Sequence, residues 1–303
     1  MQLVASIFAS DILPIFIIAG VGFLLARRFG ASVKTLATVT FNALSPCLVF
    51  DQLVSAQISG SQSLRVAAFC VLLTIALGIA ARLTTLPLRL DRTTLSSFLL
   101  VAMFSNSGNY ALPVVLFAFG KEALAFASVY FVTSAILIYT AGILVAASGH
   151  GSVRTALARL FRVPAVYAVA AAIIVLATGA VVPVAVMRPI RLLSDAAIPV
   201  MLLVLGMQLE RATTPRHPIA VAAAVVLSLV VAPILAFGLT AVLGLAGAAR
   251  QAAIIEASMP AAVITTVLAL EFDLDAGFAT NVVFFTTLLS PLTLVLLIAY
   301  LQR

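Results

Sequence analysis

The sequence predicts an all-α protein that lies within a membrane. Of its 303 residues, 64% are hydrophobic and 9% are charged, and the mean hydropathy is +1.26. A water-soluble fold is excluded, because so few polar side chains cannot keep that much apolar surface out of water. A helix needs about 20 apolar residues to cross a bilayer. Stretches of that length follow one another along the whole chain.

Ten of these stretches are expected to be transmembrane spans, which leaves no room for a soluble domain. The first span is followed, not preceded, by the basic residues Arg27, Arg28 and Lys34. This order is the reverse of a secretory signal peptide and indicates a retained helix. The predicted spans, in chain order, are residues 11–27, 35–54, 64–84, 93–118, 124–147, 164–182, 189–209, 218–245, 250–270 and 278–301.

A basic segment divides the predicted spans into two halves. Residues 1–148 hold five spans, residues 149–163 form a cytoplasmic connecting loop, and residues 164–303 hold the other five. Because five is odd, the second half enters the membrane in the opposite orientation, which predicts two inverted five-helix repeats. In the second span of each half, a polar residue precedes a proline by four positions. These polar residues are Asn42 and Asp195.

The basic residues predict how the chain is oriented. With the N-terminus outside, 11 of the 17 Lys and Arg residues fall on the cytoplasmic side and 6 fall outside. The positive-inside rule therefore predicts that both termini are outside, and we expect a location in a bacterial inner membrane. The basic residues are dispersed over the loops, so the net charge of +7 reflects membrane orientation, and no nucleic-acid partner is expected.

A polar cluster interrupts the fourth predicted span in the segment FSNSGNYALPV, residues 104–114. Proline removes a helical hydrogen bond and glycine loosens the helix, so the segment from Gly108 to Pro113 is expected to be unwound. The freed backbone groups are tolerated only against protein or in a water-filled cavity. A kinked structural helix and a cavity both explain one broken span. A second break at Pro260, in the equivalent ninth span, favours the cavity.

The helix ends at such breaks suit ions of either sign. Half-helix N-termini carry partial positive charge that attracts a carboxylate, whereas the carbonyl ends of half-helices attract a cation. Ser105 and its neighbours add side-chain donors and acceptors. The residues expected to bind substrate, through polar side chains or as helix breaks, are Asn42, Asn106, Ser107, Asn109, Pro113, Asp195 and Pro260.

The acidic residues differ in how deeply the predicted spans place them. Glu256 lies well inside the ninth span, where a carboxylate binds Na⁺, carries a proton or pairs with a buried donor. These three uses stay open for Glu256. Asp195 is close enough to Arg191 in sequence for an interfacial ion pair to compete with a role in the cavity. Three further acidic residues near predicted span ends are expected to be solvated: Asp11, Asp51 and Glu210.

Four segments carry motifs of a known family: LPIFIIAGVGFLLARRFG from residue 13, FNALSPCLVF from residue 41, SGNYALPV from residue 107, and the stretch from EASMPAAVITT at residue 256 to the end of the tenth span. Together they resemble the auxin efflux carrier family of membrane transporters, in its bacterial branch. The resemblance covers essentially the whole chain. The E-x-x-M-P element is its most specific part. The long cytoplasmic loop of the plant members is absent.

The resemblance implies an architecture and a substrate class. It implies ten helices in two inverted repeats, with the broken fourth and ninth helices crossing at Pro113 and Pro260. It also implies a homodimer, a scaffold made of the first, second, sixth and seventh helices, and transport of small organic anions such as auxin or malonate. The E-A-S-M-P element is similar to a sodium-binding segment in the bile acid sodium symporters, and this similarity carries only Glu256.

We therefore expect a secondary transporter of small carboxylates that works by alternating access, with an elevator-type movement. No cofactor is expected apart from Na⁺ or H⁺ as a coupling ion. A sodium-coupled symporter of bile-acid-like anions is the main alternative, and a cation/proton antiporter is weaker because the predicted crossing offers a single carboxylate. Neither H-E-x-x-H nor G-x-S-x-G occurs in the sequence, and its two histidines stand far apart, so neither enzymatic activity nor a metal site is expected.

Overall fold

Helices make up almost all of the structure, a computed structural model that describes residues 6–55, 60–146, 164–208 and 216–302. The predicted connecting loop at residues 149–163 and Glu210 lie outside these residues. In chain order the helices are α1 (Phe8–Phe29), α2 (Val33–Ser55), α3 (Gly60–Thr85), α4 (Arg92–Met103), α5 (Ser107–Ala146), α6 (Pro164–Thr178), α7 (Val184–Gln208), α8 (Pro218–Val242), α9 (Gly247–Ala257), α10 (Ile264–Glu271) and α11 (Ala276–Leu301).

The lengths and composition of the helices confirm an all-helical membrane protein. Seven helices in the described part of the chain are long and apolar enough to cross a bilayer, and α4 and α6 are shorter apolar helices. No β-strand forms among the described residues, apart from one isolated bridge. The 40-residue helix α5 is bent at Gly120, whose φ of 78° and ψ of −167° suit glycine. This bend lies between the predicted fourth and fifth spans.

Proline shapes the long helices in a recurring way. Five π-helical turns occur within the described helices, and four of them end two residues before a proline. Proline has no N–H to donate, and its ring clashes with the carbonyl four residues earlier. A widened turn just before it relieves that clash without ending the helix. The four prolines concerned are Pro14, Pro46, Pro113 and Pro233.

Helices α1 and α7 approach each other so closely that two glycines are required. A Cβ atom at Gly206 would lie 1.7 Å from the carbonyl oxygen of Ala19, and one at Gly22 would lie 2.1 Å from that of Leu203. Both distances are far below van der Waals contact. Small residues of this kind let membrane helices pack backbone against backbone. The contact therefore fixes α1 against α7.

The largest hydrophobic core among the described residues lies around the beginning of α5 and around α9. Tyr110 and Leu112 of α5, with Ile254 and Ile255 of α9, are fully buried in it. The hydroxyl of Tyr110 shares a hydrogen bond of 3.0 Å with Ser290 of α11. Buried side chains therefore surround the beginning of α5 and helix α9.

Candidate functional site

The two interrupted helices meet at their breaks. Between α4 and α5 the chain is extended at Phe104 and Ser105, and between α9 and α10 it is extended around Ala261. Ser105 and Ala261 form an antiparallel bridge. The backbone N–H of Asn106 donates to the carbonyl of Pro260 at 2.7 Å. The N–H of Ala262 donates to the carbonyl of Phe104 at 2.9 Å.

These hydrogen bonds explain how unwound backbone is tolerated so deep in an apolar protein. Each chain supplies partners for the polar groups that the other has left without helical bonds. The N–H of Ala261 adds a third bond, to the hydroxyl of Thr286 at 3.1 Å. Each break therefore depends on the other for its backbone hydrogen bonds.

The first break lies further upstream than the sequence predicts. We expect an unwound segment from Gly108 to Pro113, but a π-helical turn already begins at Ser107, and regular helix follows from Leu112. Pro113 is the second residue of that regular helix, and the π-helical turn just before it accommodates the proline ring without a break. The chain unwinds instead where the backbone of the opposite break offers hydrogen bonds.

Two helix N-termini lie at the crossing. Helix α5 begins at Ser107 and α10 begins at Ile264, directly after the paired segments. The first N–H groups of a helix have no intrahelical partner, and the aligned peptide dipoles add partial positive charge there. Helix N-termini therefore bind anions readily. They bring positive partial charge to the crossing, whereas α4 and α9, which end there at Met103 and Ala257, bring the negative partial charge of helix C-termini.

A cavity of about 640 Å³ ends on this crossing. Its walls combine apolar side chains such as Phe131 and Tyr139 with polar ones. The side-chain Nδ2 of Asn106, whose residue is 6% exposed, has no hydrogen-bond partner within the described structure. The Oε1 of Gln208 is likewise buried and unpaired there. Buried amides without partners are costly, so these two groups are available for a ligand.

The cavity contains one charged side chain among its described lining residues, and that side chain is Lys34. Lys34 is exposed, in the first turn of α2. No aspartate or glutamate belongs to the described lining. The charge on the described lining is therefore positive, and the helix N-termini at the crossing add positive partial charge to it.

The structure brings most of the predicted substrate-binding residues to this cavity. Asn42, Asn106, Ser107 and Asn109 all line it, as does Ser105. The two prolines are buried beside the crossing. Pro113 lies within α5, and the carbonyl of Pro260 accepts the hydrogen bond from Asn106.

Asp195 lies elsewhere. It is exposed on α7 and does not line the cavity. Lys34 and Gln208 are among the lining residues that were not predicted. Lys34 was assigned to orienting the chain, and Gln208 stands at the end of a span, where a polar residue carries no signal by itself. Only the packing of α2 and α7 around the cavity shows where these two side chains face.

The expectation that Asp11 and Asp51 are solvated is wrong. Asp51 is buried and accepts hydrogen bonds from Ser194 and Ser55, each at 3.1 Å. Arg191 is 3.6 Å from the Asp51 carboxylate, so Asp51, not Asp195, is its partner. Asp11 is 7% exposed and accepts a hydrogen bond of 2.7 Å from Ser10. Helix packing covers both carboxylates, which their positions near span ends did not indicate.

Glu256 is fully buried, with 0% of its surface exposed. Neither carboxylate oxygen has a hydrogen-bond partner in the described part of the chain. Glu256 does not line the cavity, and its electrostatic neighbours are Cys70 and Tyr130. An unpaired charge in this position costs at least about 3 kcal/mol, so the carboxylate requires a proton or a cation.

A second cleft of about 760 Å³ lies where α4 and α11 begin. Asp91 caps α4 by accepting hydrogen bonds from Thr93 and Thr94, and these bonds hold the pKa of the Asp91 carboxyl well below its usual range. The hydroxyl of Thr94 also donates to Asp275, the N-cap residue of α11, at 3.1 Å. The network ties the beginnings of the two helices together. No group of three or more metal-ligating residues occurs among the described residues.

Membrane transporters commonly contain two helices that are broken in the middle and cross at the end of a cavity. The same arrangement occurs here. Comparison with known sequences agrees with this class. The sequence model of the membrane transport protein family matches residues 7–154 and 150–298. The chain therefore belongs to that family. It is the same family that the sequence motifs resemble, the auxin efflux carriers.

Two relatives are also transporters by name. The chain is 30% identical over 264 residues to a protein named uncharacterized transporter from Methanothermobacter thermautotrophicus, an alignment that covers 86% of each chain. It is 27% identical over 215 residues to an uncharacterized transporter from Methanocaldococcus jannaschii, with 69% of each chain covered. Both relatives come from archaea, so membership of a bacterial branch stays a prediction.

Proposed function

We propose that this protein is a secondary transporter that moves small carboxylates by alternating access. The observation that carries the proposal is the crossing itself, where two helix N-termini and the unpaired Nδ2 of Asn106 meet at one end of a cavity. All of these groups donate hydrogen bonds or carry positive partial charge. A carboxylate satisfies them, whereas a cation is repelled.

The proposed topology is ten spans in two inverted five-helix repeats, with both termini outside. In this topology the ends of α4 and α11 that Thr94 and Asp275 join are cytoplasmic. The opposite ends are outside, where Arg65 donates to the carbonyl of Gly244 at 3.1 Å and Gln302 donates to that of Ala118 at 3.0 Å. Each of these contacts joins ends that the alternating topology places on the same side.

In this topology the structure corresponds to an inward-facing state. The cavity runs from Lys34, on the cytoplasmic side, to Asn109 at the crossing. Beyond the crossing, Leu112 and Ile254 are fully buried in the packed core, which closes the outer side. Alternating access requires the reverse arrangement as well. We attribute the exchange to an elevator-type movement of the crossing against a scaffold, in a homodimer, as the family resemblance implies.

Ligand stabilisation of the purified protein tests the proposed substrate class. Malonate, succinate, indole-3-acetate and taurocholate are to be compared in thermal melts, each with NaCl and with choline chloride. A ligand that binds only the folded state stabilises it by about 2.7 kcal/mol at 100 times its Kd. We expect at least one of the three small carboxylates to raise the melting temperature.

Two outcomes would contradict that expectation. Stabilisation by taurocholate alone, and only with Na⁺, would favour a sodium-coupled symporter of bile-acid-like anions. No stabilisation by any anion would end the proposal of an anion site. A cation/proton antiporter is disfavoured because the described lining of the cavity contains no carboxylate.

Glu256 is our proposed coupling group, because a fully buried carboxylate without a partner must bind an ion or a proton. Glu256→Gln keeps the shape of the side chain and removes its titration. The unmodified protein is expected to bind the stabilising carboxylate with an affinity that depends on Na⁺ concentration or on pH, measured from about pH 5 to about pH 8. In Glu256→Gln we expect that dependence to be lost.

The matched control for this prediction is Glu122→Gln, since Glu122 is an exposed glutamate next to the bend at Gly120. The control should respond to Na⁺ and pH as the unmodified protein does. A full response in Glu256→Gln would show that Glu256 only packs against its neighbours and that coupling resides elsewhere.

A further inference from the structure

Lys34 combines three properties that orientation of the chain in the membrane does not explain. It is the one charged residue in the described lining of the cavity, and that lining holds no carboxylate to pair with it. Lys34 forms no ion pair with any residue that the structure describes. It is also the second residue of α2, whose N-cap is Ser32. A cation in the first turn opposes the helix dipole, so local stability does not favour lysine at this position.

The position of Lys34 separates it from the crossing. Lys34 precedes Asn42 on α2 by eight residues, which corresponds to about 12 Å along a helix. Lys34 therefore lines the cavity about two helical turns from Asn42, towards the beginning of α2. Being exposed at the open end of the cavity, its ammonium group acts on anions before they reach the crossing.

We infer that Lys34 is a specificity-determining residue, which selects anions by charge as they enter the cavity from the side where α2 begins. The inference rests on the proposed function and adds the residue that sets charge preference. At separations on the order of 10 Å in water of low ionic strength (about 0.01 M, where the Debye length is about 30 Å), one unit charge changes the local concentration of a monovalent ion by about twofold. For a dianion the factor is squared, to about fourfold. Lys34 therefore favours dicarboxylates over monocarboxylates of similar size.

The potential inside the cavity can be measured without knowing the substrate. A cysteine introduced as Asn109→Cys places a thiol at the crossing, and labelling of a protein without this change corrects for Cys47 and Cys70. Two methanethiosulfonate reagents serve as probes, one with a sulfonate and one with a trimethylammonium group. Each reaction rate is divided by the rate of the same reagent with a small thiol in solution, and the ratio of these two relative rates reports the potential at the thiol. Detergent solution gives both reagents equal access to either side.

At about 0.01 M salt, Lys34→Gln should lower the ratio of the anionic to the cationic rate by about fourfold, because the anion slows and the cation speeds up by about twofold each. Lys34→Glu should lower it by about 16-fold, and Lys34→Arg should restore it. At 1 M salt the Debye length is about 3 Å, so the differences should disappear. Lys121→Gln, at an exposed lysine outside the cavity, is the matched control and should change nothing.

Equal ratios in Lys34→Gln and the unmodified protein would overturn the inference but leave the anion site at the crossing intact. A cavity that the cationic reagent enters faster even with Lys34 present would overturn both proposals. Transport provides a second measurement. In proteoliposomes, kcat/KM for malonate should fall about fourfold in Lys34→Gln and that for indole-3-acetate about twofold, with kcat unchanged for both. Equal losses for the two anions would contradict selection by charge.

Discussion

Replacement of Gly206 by alanine is expected to destabilise the protein by about 3 kcal/mol, because its Cβ atom has no space. The new atom would lie 1.7 Å from the carbonyl oxygen of Ala19, which belongs to the backbone of α1. A side chain can rotate away from such a clash, but a helix backbone must move as a whole. Gly22→Ala should have a similar effect, since its Cβ atom would lie 2.1 Å from the carbonyl oxygen of Leu203.

Thermal melts in detergent measure this effect, and a loss of about 3 kcal/mol corresponds to a fall of about 10 °C. Gly20→Ala is the matched control on α1, because a Cβ atom at Gly20 meets nothing within 4 Å. It should leave stability unchanged or raise it slightly, since alanine favours helix more than glycine does. Equal melting temperatures for Gly206→Ala and Gly20→Ala would show that α1 and α7 are not in backbone contact.

Asn106→Ala is expected to remove most transport without lowering stability. Its Nδ2 is buried at the crossing without a partner, so removal of this group breaks no hydrogen bond in the folded protein. The bound carboxylate does lose one. A hydrogen bond to a charged group contributes about 1.5–3 kcal/mol, which corresponds to roughly a tenfold to hundredfold loss of kcat/KM. Asn109→Ala should likewise remove transport, because Asn109 lines the same end of the cavity.

Uptake of the stabilising carboxylate into proteoliposomes, together with thermal melts, measures both parts of this expectation. Gln251→Ala is the matched control. The Nε2 of Gln251 donates to the carbonyl of Leu301 at 2.9 Å, outside the cavity. The control should lose some stability and keep its transport rate, the opposite of Asn106→Ala. Transport at the unmodified rate in both asparagine variants would remove the crossing from the proposed binding site.

The buried acidic residues show where sequence patterns stop being informative. The depth of Glu256 in an apolar stretch predicted a buried carboxylate, because hydrophobicity around a residue reports the membrane directly. Asp51 lies near the end of a predicted span, and nothing in its neighbourhood indicated burial. Its partners Ser194 and Arg191 are more than 100 residues away, and only the packing of α2 against α7 brings them together.

The break in the fourth predicted span gives a similar lesson. Proline and glycine correctly indicated that the helix is interrupted, since both act on their own backbone. They indicated the wrong residues, because a π-helical turn absorbs the defect at Pro113. The unwound backbone lies where Asn106 reaches the carbonyl of Pro260, and a hydrogen bond between distant segments leaves no trace in local sequence.

Composition, hydropathy and helix-breaking residues by themselves determined that this chain is a helical membrane protein with polar interruptions in two of its helices. These properties depend on each residue and its near neighbours, and on the solvent around them. Only the tertiary structure decided which backbone groups pair at the crossing, that Lys34 and Gln208 face the cavity while Asp195 does not, and that α1 meets α7 through glycines. Those outcomes depend on contacts between helices far apart in sequence, where shape complementarity, not local preference, selects the arrangement.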